Sequence, residues 1–117
     1  MTTFSILLVS FVALEHVYFL ILEMFFWTTP KGIKTFGLKT KSFAEETKIL
    51  GANQGLYNGF LSAGLVFSLS QNNISFTIFF LICVILAGIY GAYSTKQIKI
   101  FYAQAIPALI AFVSIFI

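Results

Sequence analysis

The sequence predicts an all-α membrane protein in which four transmembrane helices form an antiparallel bundle. Of its 117 residues, 59% are hydrophobic and only 9% are charged, and the mean hydropathy is +0.96. Soluble domains carry charge on about a quarter of their residues, since a small body has much surface to hydrate. A bilayer solvates this composition, so we expect a multi-pass protein of the cell membrane whose main partner is lipid.

Four apolar stretches are each long enough to cross a hydrocarbon core of about 30 Å as a helix. They occupy residues 4–27, 51–69, 74–93 and 100–117. The first has no basic segment before it and ends in Trp27-Thr28-Thr29-Pro30 instead of small residues, so we expect a retained helix and not a cleaved signal peptide. Pro30 should end this helix. Residues 1–117 are therefore predicted to form a single four-helix domain.

The connections between the spans carry their own signals. Residues 28–50 form a predicted basic loop, with Gly32 and Gly37 as turn points. Ser42-Phe43-Ala44-Glu45 has the form of a capping box, which predicts that the second helix begins at Phe43. The short, uncharged connection Ser70-Gln71-Asn72-Asn73 predicts a tight antiparallel hairpin of the second and third spans.

The placement of the lysines predicts the orientation in the membrane. Five lysines lie between the first two spans, two lie between the last two, and none lies between the second and third. Cytoplasmic loops are enriched in Lys and Arg, so both termini should be extracytoplasmic. The chain has no arginine, and its net charge of +3 therefore indicates membrane orientation and no nucleic-acid partner.

Ionisable residues lie inside the first predicted span. Glu15 and His16 are near its middle, and Glu23 follows His16 by almost two helical turns. Such a side chain costs about 2.5–3.5 kcal/mol at this depth and normally faces the bundle interior or water. Three interpretations stay open: a structural polar network, proton or ligand handling, and a metal site formed by all three. One histidine is weak support for a metal, and we expect neither a metal nor a cofactor.

Small residues recur at helical spacing in the second and third spans. They are Gly51, Gly55, Gly59 and Ala63 in the second span, and Gly88 and Gly91 in the third. A row of small residues every fourth position lets another helix approach closely. We expect these rows to serve helix packing. The packing partner is either a helix of the same chain or one of a second copy, so a homodimer remains open.

Polar side chains concentrate in the cytoplasmic half of the predicted bundle. This half holds Glu23, Asn53, Gln54, Tyr57, Asn58, Tyr90 and Gln104, with Glu15 and His16 at its base. Amide groups in hydrocarbon need hydrogen-bond partners, so these residues are expected to line a polar pocket that opens to the cytoplasm. The pocket predicts binding or proton-linked transport of a small amphipathic or cationic molecule, with Glu15 exchanging the proton.

Two other functions remain open. A membrane enzyme would use Glu15, His16 or Glu23 as general acid or base on a lipophilic substrate. No nucleophile motif, phosphate-binding loop or cofactor signature supports that alternative, so the sequence favours a protein that is not an enzyme. A structural or partner-binding subunit would need only the faces of small residues.

Several segments together carry a resemblance to a known family. They are Ala13-Leu14-Glu15-His16, Leu22-Glu23-Met24-Phe25, Trp27-Thr28-Thr29-Pro30, Asn53-Gln54-Gly55-Leu56-Tyr57-Asn58-Gly59-Phe60, Ala87-Gly88-Ile89-Tyr90-Gly91-Ala92 and Gln104-Ala105-Ile106-Pro107-Ala108-Leu109. With these segments the chain resembles a family of small four-helix bacterial membrane proteins catalogued as a domain of unknown function (thirteen-zero-four). The resemblance covers nearly the whole chain and implies a polytopic membrane protein. It supplies no substrate and no catalytic residue.

Overall fold

The computed structural model describes residues 1–117 and consists of helices and turns without strands. The helices are α1 (Thr3–Phe25), α2 (Pro30–Phe36), α3 (Lys41–Ser70), α4 (Ile74–Thr95) and α5 (Ile98–Ser114). Two of them, α1 and α4, are long and apolar enough to cross a membrane, and α5 is a shorter apolar helix. The prediction of an all-helical protein is confirmed.

The chain forms two compact units. The first comprises Met1–Leu14 and Leu61–Ile117, and the second comprises Glu15–Phe60. The core of the first unit contains Val9, Val12, Ala13, Leu65, Leu81, Val84, Ala108 and Ala111. The side chains in this core are aliphatic and most are small, which lets the helices of the unit pack closely.

Buried hydroxyl groups add hydrogen bonds inside the first unit. Oγ of Ser62 donates to the carbonyl oxygen of Ala13 at 2.7 Å, and Oγ of Ser5 donates to that of Ser114 at 2.9 Å. In an apolar environment a hydroxyl group needs such a partner. These bonds therefore fix how α1 packs against α3 and α5 within this unit.

A tight turn joins α3 to α4. Asn72 adopts a left-handed conformation (φ 49°), and Oδ1 of Asn73 accepts a hydrogen bond from the backbone N–H of Phe76 at 3.0 Å. The rings of Phe67 and Phe76 stack with their centroids 6.4 Å apart, so the two helices run antiparallel. The predicted hairpin is confirmed. Asparagine tolerates the left-handed conformation and caps helices, which explains why these residues form the turn.

The start of α3 differs from the prediction. The helix begins at Lys41, two residues before Phe43, and Oγ1 of Thr40 accepts the backbone N–H of Phe43 at 3.0 Å. The expected capping box at Ser42 is wrong because Thr40 provides an earlier cap. Glu45 pairs with Lys48 at 3.4 Å on the helix surface.

The predicted basic loop contains a helix, α2, that the sequence analysis missed. Thr29 caps it by accepting the N–H of Gly32 at 3.2 Å, Pro30 occupies its first turn, and Gly37 ends it at φ 63°. Gly32 lies inside this helix and is not a turn point. A Cβ atom at Gly32 would overlap the carbonyl oxygen of Phe26, so only glycine fits. The sequence signal for the start of α2 is Thr29-Pro30 followed by Gly32.

A π-helical segment interrupts α5 at Phe101–Ala105, just before Pro107. Proline has no N–H to donate to the carbonyl four residues earlier, which favours an irregular turn at this place. The backbone of this segment lies close to α4, since a Cβ atom at Gly88 would lie 2.7 Å from the nitrogen of Ala105. A Cβ atom at Gly91 would meet Ile100 at 3.3 Å. Both glycines thus lie where α4 contacts α5.

Candidate functional site

Three of the predicted site residues meet in the second unit, and we call them the Glu23 cluster: Glu23, Gln54 and Asn58. Nδ2 of Asn58 donates a hydrogen bond to Oε1 of Glu23 at 2.5 Å, and Nε2 of Gln54 donates to Oε2. The side chain of Glu23 is 1% exposed. Gln54 and Asn58 are one helical turn apart on α3, so both amides point toward the same carboxyl group on α1. The buried carboxyl group therefore has a donor on each oxygen.

The glycine row of α3 brings the two helices close enough for these hydrogen bonds. A Cβ atom at Gly55 would lie 2.8 Å from Cγ of Met24 and 3.2 Å from the carbonyl oxygen of Leu20. At Gly59 it would lie 2.5 Å from Cδ1 of Leu20. At Gly55 and Gly59 the packing partner is thus α1 of the same chain.

An aromatic contact extends this packing toward α2. The indole ring of Trp27 covers Gly51, where a Cβ atom would lie 2.5 Å from the ring, and it packs against Phe36 with ring centroids 5.0 Å apart. Nε1 of Trp27 donates to Oγ1 of Thr47 at 3.0 Å. The sequence pattern indicates for Trp27 only the end of the first span. Trp27 and Gly51 are 24 residues apart and lie outside any one helix, so spacing alone could not reveal this contact.

Glu15 and His16 occupy different environments from the Glu23 cluster. Glu15 is half-buried, and its Oε1 atom is buried and has no hydrogen-bond partner. The ring of His16 is fully buried and contacts the ring of Phe19 edge-on, with centroids 5.2 Å apart. Neighbouring residues of a helix point about 100° apart, so the two side chains leave α1 in different directions.

Two further predicted site residues lie on α3, and two lie in the first unit. Asn53 is exposed, and Tyr57 is 66% exposed, so both lie on the outer face of the second unit. In the first unit, Tyr90 is 69% exposed and Gln104 is half-buried within the π-helical segment. Ala63, the fourth member of the small-residue row, is also exposed. The structure thus brings Glu23, Gln54 and Asn58 together by hydrogen bonds.

The acidic groups of α1 differ in what they can do chemically. No cluster of three or more His, Cys, Asp and Glu side chains is arranged to hold a metal ion, so Glu15, His16 and Glu23 do not assemble into the metal site considered above. In the Glu23 cluster both carboxyl oxygens already have amide donors, which suits a contact that fixes helix packing. At Glu15 one oxygen has no protein partner and can accept a proton or a cation.

The fold and the site define a class: an all-helical protein that carries a buried carboxyl group on a helix able to cross a membrane. The chain belongs to the family described as "Protein of unknown function (DUF1304)", which it matches over residues 10–116. The family resemblance noted from the sequence is confirmed. The family description assigns no activity.

One relative covers almost the whole chain. The chain is 31% identical over 119 aligned residues to the "Uncharacterized protein YpaA" of Lactococcus lactis subsp. lactis (strain IL1403), and the match covers 99% of each protein. No solved structure matches the chain.

Proposed function

We propose that this protein crosses the cell membrane four times, with α1, α3, α4 and α5 as the spans and both termini outside. Only 33% of the most apolar 18 residues of α1 and 22% of those of α4 are buried. A core helix of a soluble protein would be mostly buried, whereas helices that contact lipid expose their apolar side chains. The separation of five and two lysines from the lysine-free hairpin supports the orientation.

We further propose that Glu15 binds a small amphipathic cation in exchange for a proton and is reached from the cytoplasmic side. The observation that carries this proposal is the buried Oε1 atom of Glu15, which has no hydrogen-bond partner. Carboxyl groups within a membrane span are almost always partnered, and an unpartnered one is a functional-site hypothesis by default. A carboxyl group holds a proton or a cation, but not both, so binding of one releases the other.

The Glu23 cluster supports a second, structural role for the neighbouring carboxyl group. Its oxygens already accept hydrogen bonds from Gln54 and Asn58, and its side chain is 1% exposed. We therefore assign ligand exchange to Glu15 and helix packing to Glu23. The two carboxyl groups lie on one helix, so each serves as a control for the other.

Binding of a lipophilic cation with proton release tests this function. Tetraphenylphosphonium is added to the purified protein in nanodiscs in weakly buffered solution, and heat and pH change are recorded together. We expect one proton to be released per bound cation by the natural protein and by Glu23→Gln. Glu15→Gln should lose both signals because an amide carries no exchangeable charge. Cation binding that persists in folded Glu15→Gln would refute the proposal.

Labelling of single cysteines tests the orientation. Cys83 is the only cysteine, so Cys83→Ala supplies a background for new cysteines. We expect a membrane-impermeant maleimide added to intact cells to label Asn72→Cys in the hairpin. Lys39→Cys and Lys96→Cys should react only after the membrane is opened. External labelling of either lysine position would contradict the proposed topology.

A further inference from the structure

A groove lies in the first unit where α4 ends and α5 begins, and we call it the Lys96 groove. Its volume is about 420 Å³, and it is lined by Ile89, Ala92, Tyr93, Lys96, Ile98 and Phe101. Tyr93 is 79% exposed and Lys96 is exposed, so the groove opens at the protein surface. It therefore combines an apolar wall with one cationic side chain.

Lys96 has no acidic side chain in its own unit. All four acidic residues of the chain lie between Glu15 and Glu46, in the second unit. Lys96 is exposed, so its charge is available to a ligand at the protein surface. An anionic group complements this charge.

The backbone fixes Lys96 at the end of α4. Lys96 adopts a left-handed conformation (φ 58°), and the N–H of Gln97 bonds back to the carbonyl oxygen of Ala92 at 3.1 Å. Glycine or asparagine is usual at such a position because their strain is lower. Lysine therefore places a charge beside the apolar wall where a neutral residue would suit the backbone better.

We propose that the Lys96 groove binds an anionic phospholipid of the cytoplasmic leaflet. Lys96 contacts the phosphate, and an acyl chain lies along the apolar residues of the wall. The volume falls within the range of about 300–1,000 Å³ of small-molecule sites. The cytoplasmic leaflet carries negative lipids, and lysines near its surface attract them. This inference uses the proposed topology but not the function of Glu15, which lies in the other unit.

Native mass spectrometry of the full chain released from mixed nanodiscs tests the site. The nanodiscs contain equal amounts of phosphatidylglycerol and phosphatidylcholine, and the ratio of the two lipids retained by the protein is measured. We expect the natural protein to retain phosphatidylglycerol preferentially. In Lys96→Asn this preference should fall about fivefold, because the variant lacks one lysine contact to the anionic lipid. Asparagine suits the left-handed backbone, so this variant should fold.

Matched variants separate charge from volume. Lys39→Asn removes the same charge outside the groove and should keep the preference. Ala92→Trp fills the groove and should reduce retention of both lipids, and Ile89→Trp gives the same test if Ala92→Trp does not fold. Glu15→Gln should leave retention unchanged, so failure of the Glu15 proposal is distinguishable from failure of this one.

Three outcomes would overturn the proposal. Equal loss of preference in Lys39→Asn and Lys96→Asn would show general attraction of the lysines and no specific site. If a folded variant with a filled groove retained both lipids as well as the natural protein does, the acyl chain would not lie in the groove. Equally tight binding of soluble glycerol phosphate would indicate a free anion as ligand in place of a lipid.

Discussion

The carboxyl groups of Glu15 and Glu23, both on α1, differ in their hydrogen bonds. Glu23 is buried and accepts hydrogen bonds from Gln54 and Asn58, whereas the buried Oε1 atom of Glu15, eight residues earlier, has no protein partner. The difference arises from α3, which brings two amides to Glu23. The comparison teaches that burial of an acid in a span does not by itself identify its role. We propose that the satisfied carboxyl group of Glu23 holds the helices together and that the unsatisfied one of Glu15 serves exchange.

The largest expected effect comes from separating the helices at the Glu23 cluster. Gly55→Leu would place side-chain atoms against Met24 and the backbone of Leu20, so we expect a loss of about 3 kcal/mol of stability. Thermal unfolding in detergent measures the change. Ala63→Leu is the matched control because Ala63 belongs to the same small-residue row but is exposed. Equal destabilisation by both substitutions would contradict close packing at Gly55.

Replacing each carboxyl group by leucine tests the comparison directly. Glu23→Leu leaves the amides of Gln54 and Asn58 without their acceptor, and we expect a loss of about 2 kcal/mol. Glu15→Leu removes an oxygen that has no protein partner, so its stability should equal or exceed that of the natural protein. The same unfolding measurement compares the variants. Destabilisation by Glu15→Leu as large as that by Glu23→Leu would show that Glu15 also serves packing.

The smallest predicted loss of stability is at the hydrogen bond between Trp27 and Thr47, which lies beyond the Glu23 cluster. Thr47→Val removes the acceptor of the indole N–H of Trp27, which predicts a loss of about 1 kcal/mol. Trp27 is the only tryptophan, so its fluorescence reports the site, and we expect a shifted emission maximum. Thr95→Val is the control because the hydroxyl group of Thr95 bonds within its own helix to Gly91. Identical spectra for both variants would argue against the Trp27 contact.

Local patterns predicted much of the helical structure. The apolar stretches anticipated α1 and α4, and the polar connection at Asn72 anticipated the hairpin. Errors occurred where two local signals competed. Ser42 and Thr40 both resemble caps, and the lysines of the basic loop obscured the Thr29-Pro30 start of α2. Of the predicted site, Glu23, Gln54 and Asn58 met, whereas Tyr57 and Tyr90 are exposed. Polarity and depth rank residues along a span but do not give the direction in which each side chain points.

The family, the helical class and the spacing of the polar and small residues can be deduced from the order of the amino acids. Composition and periodicity carry this information, because apolar length and small-residue repeats constrain any helix that lies in lipid. Which of the two carboxyl groups has hydrogen-bond donors could be learned from the packed helices alone. The pairing of Glu23 with Gln54 and Asn58 depends on the register of α1 against α3, set by contacts such as those at Gly55. Register is a property of two packed helices, and neither helix contains it alone.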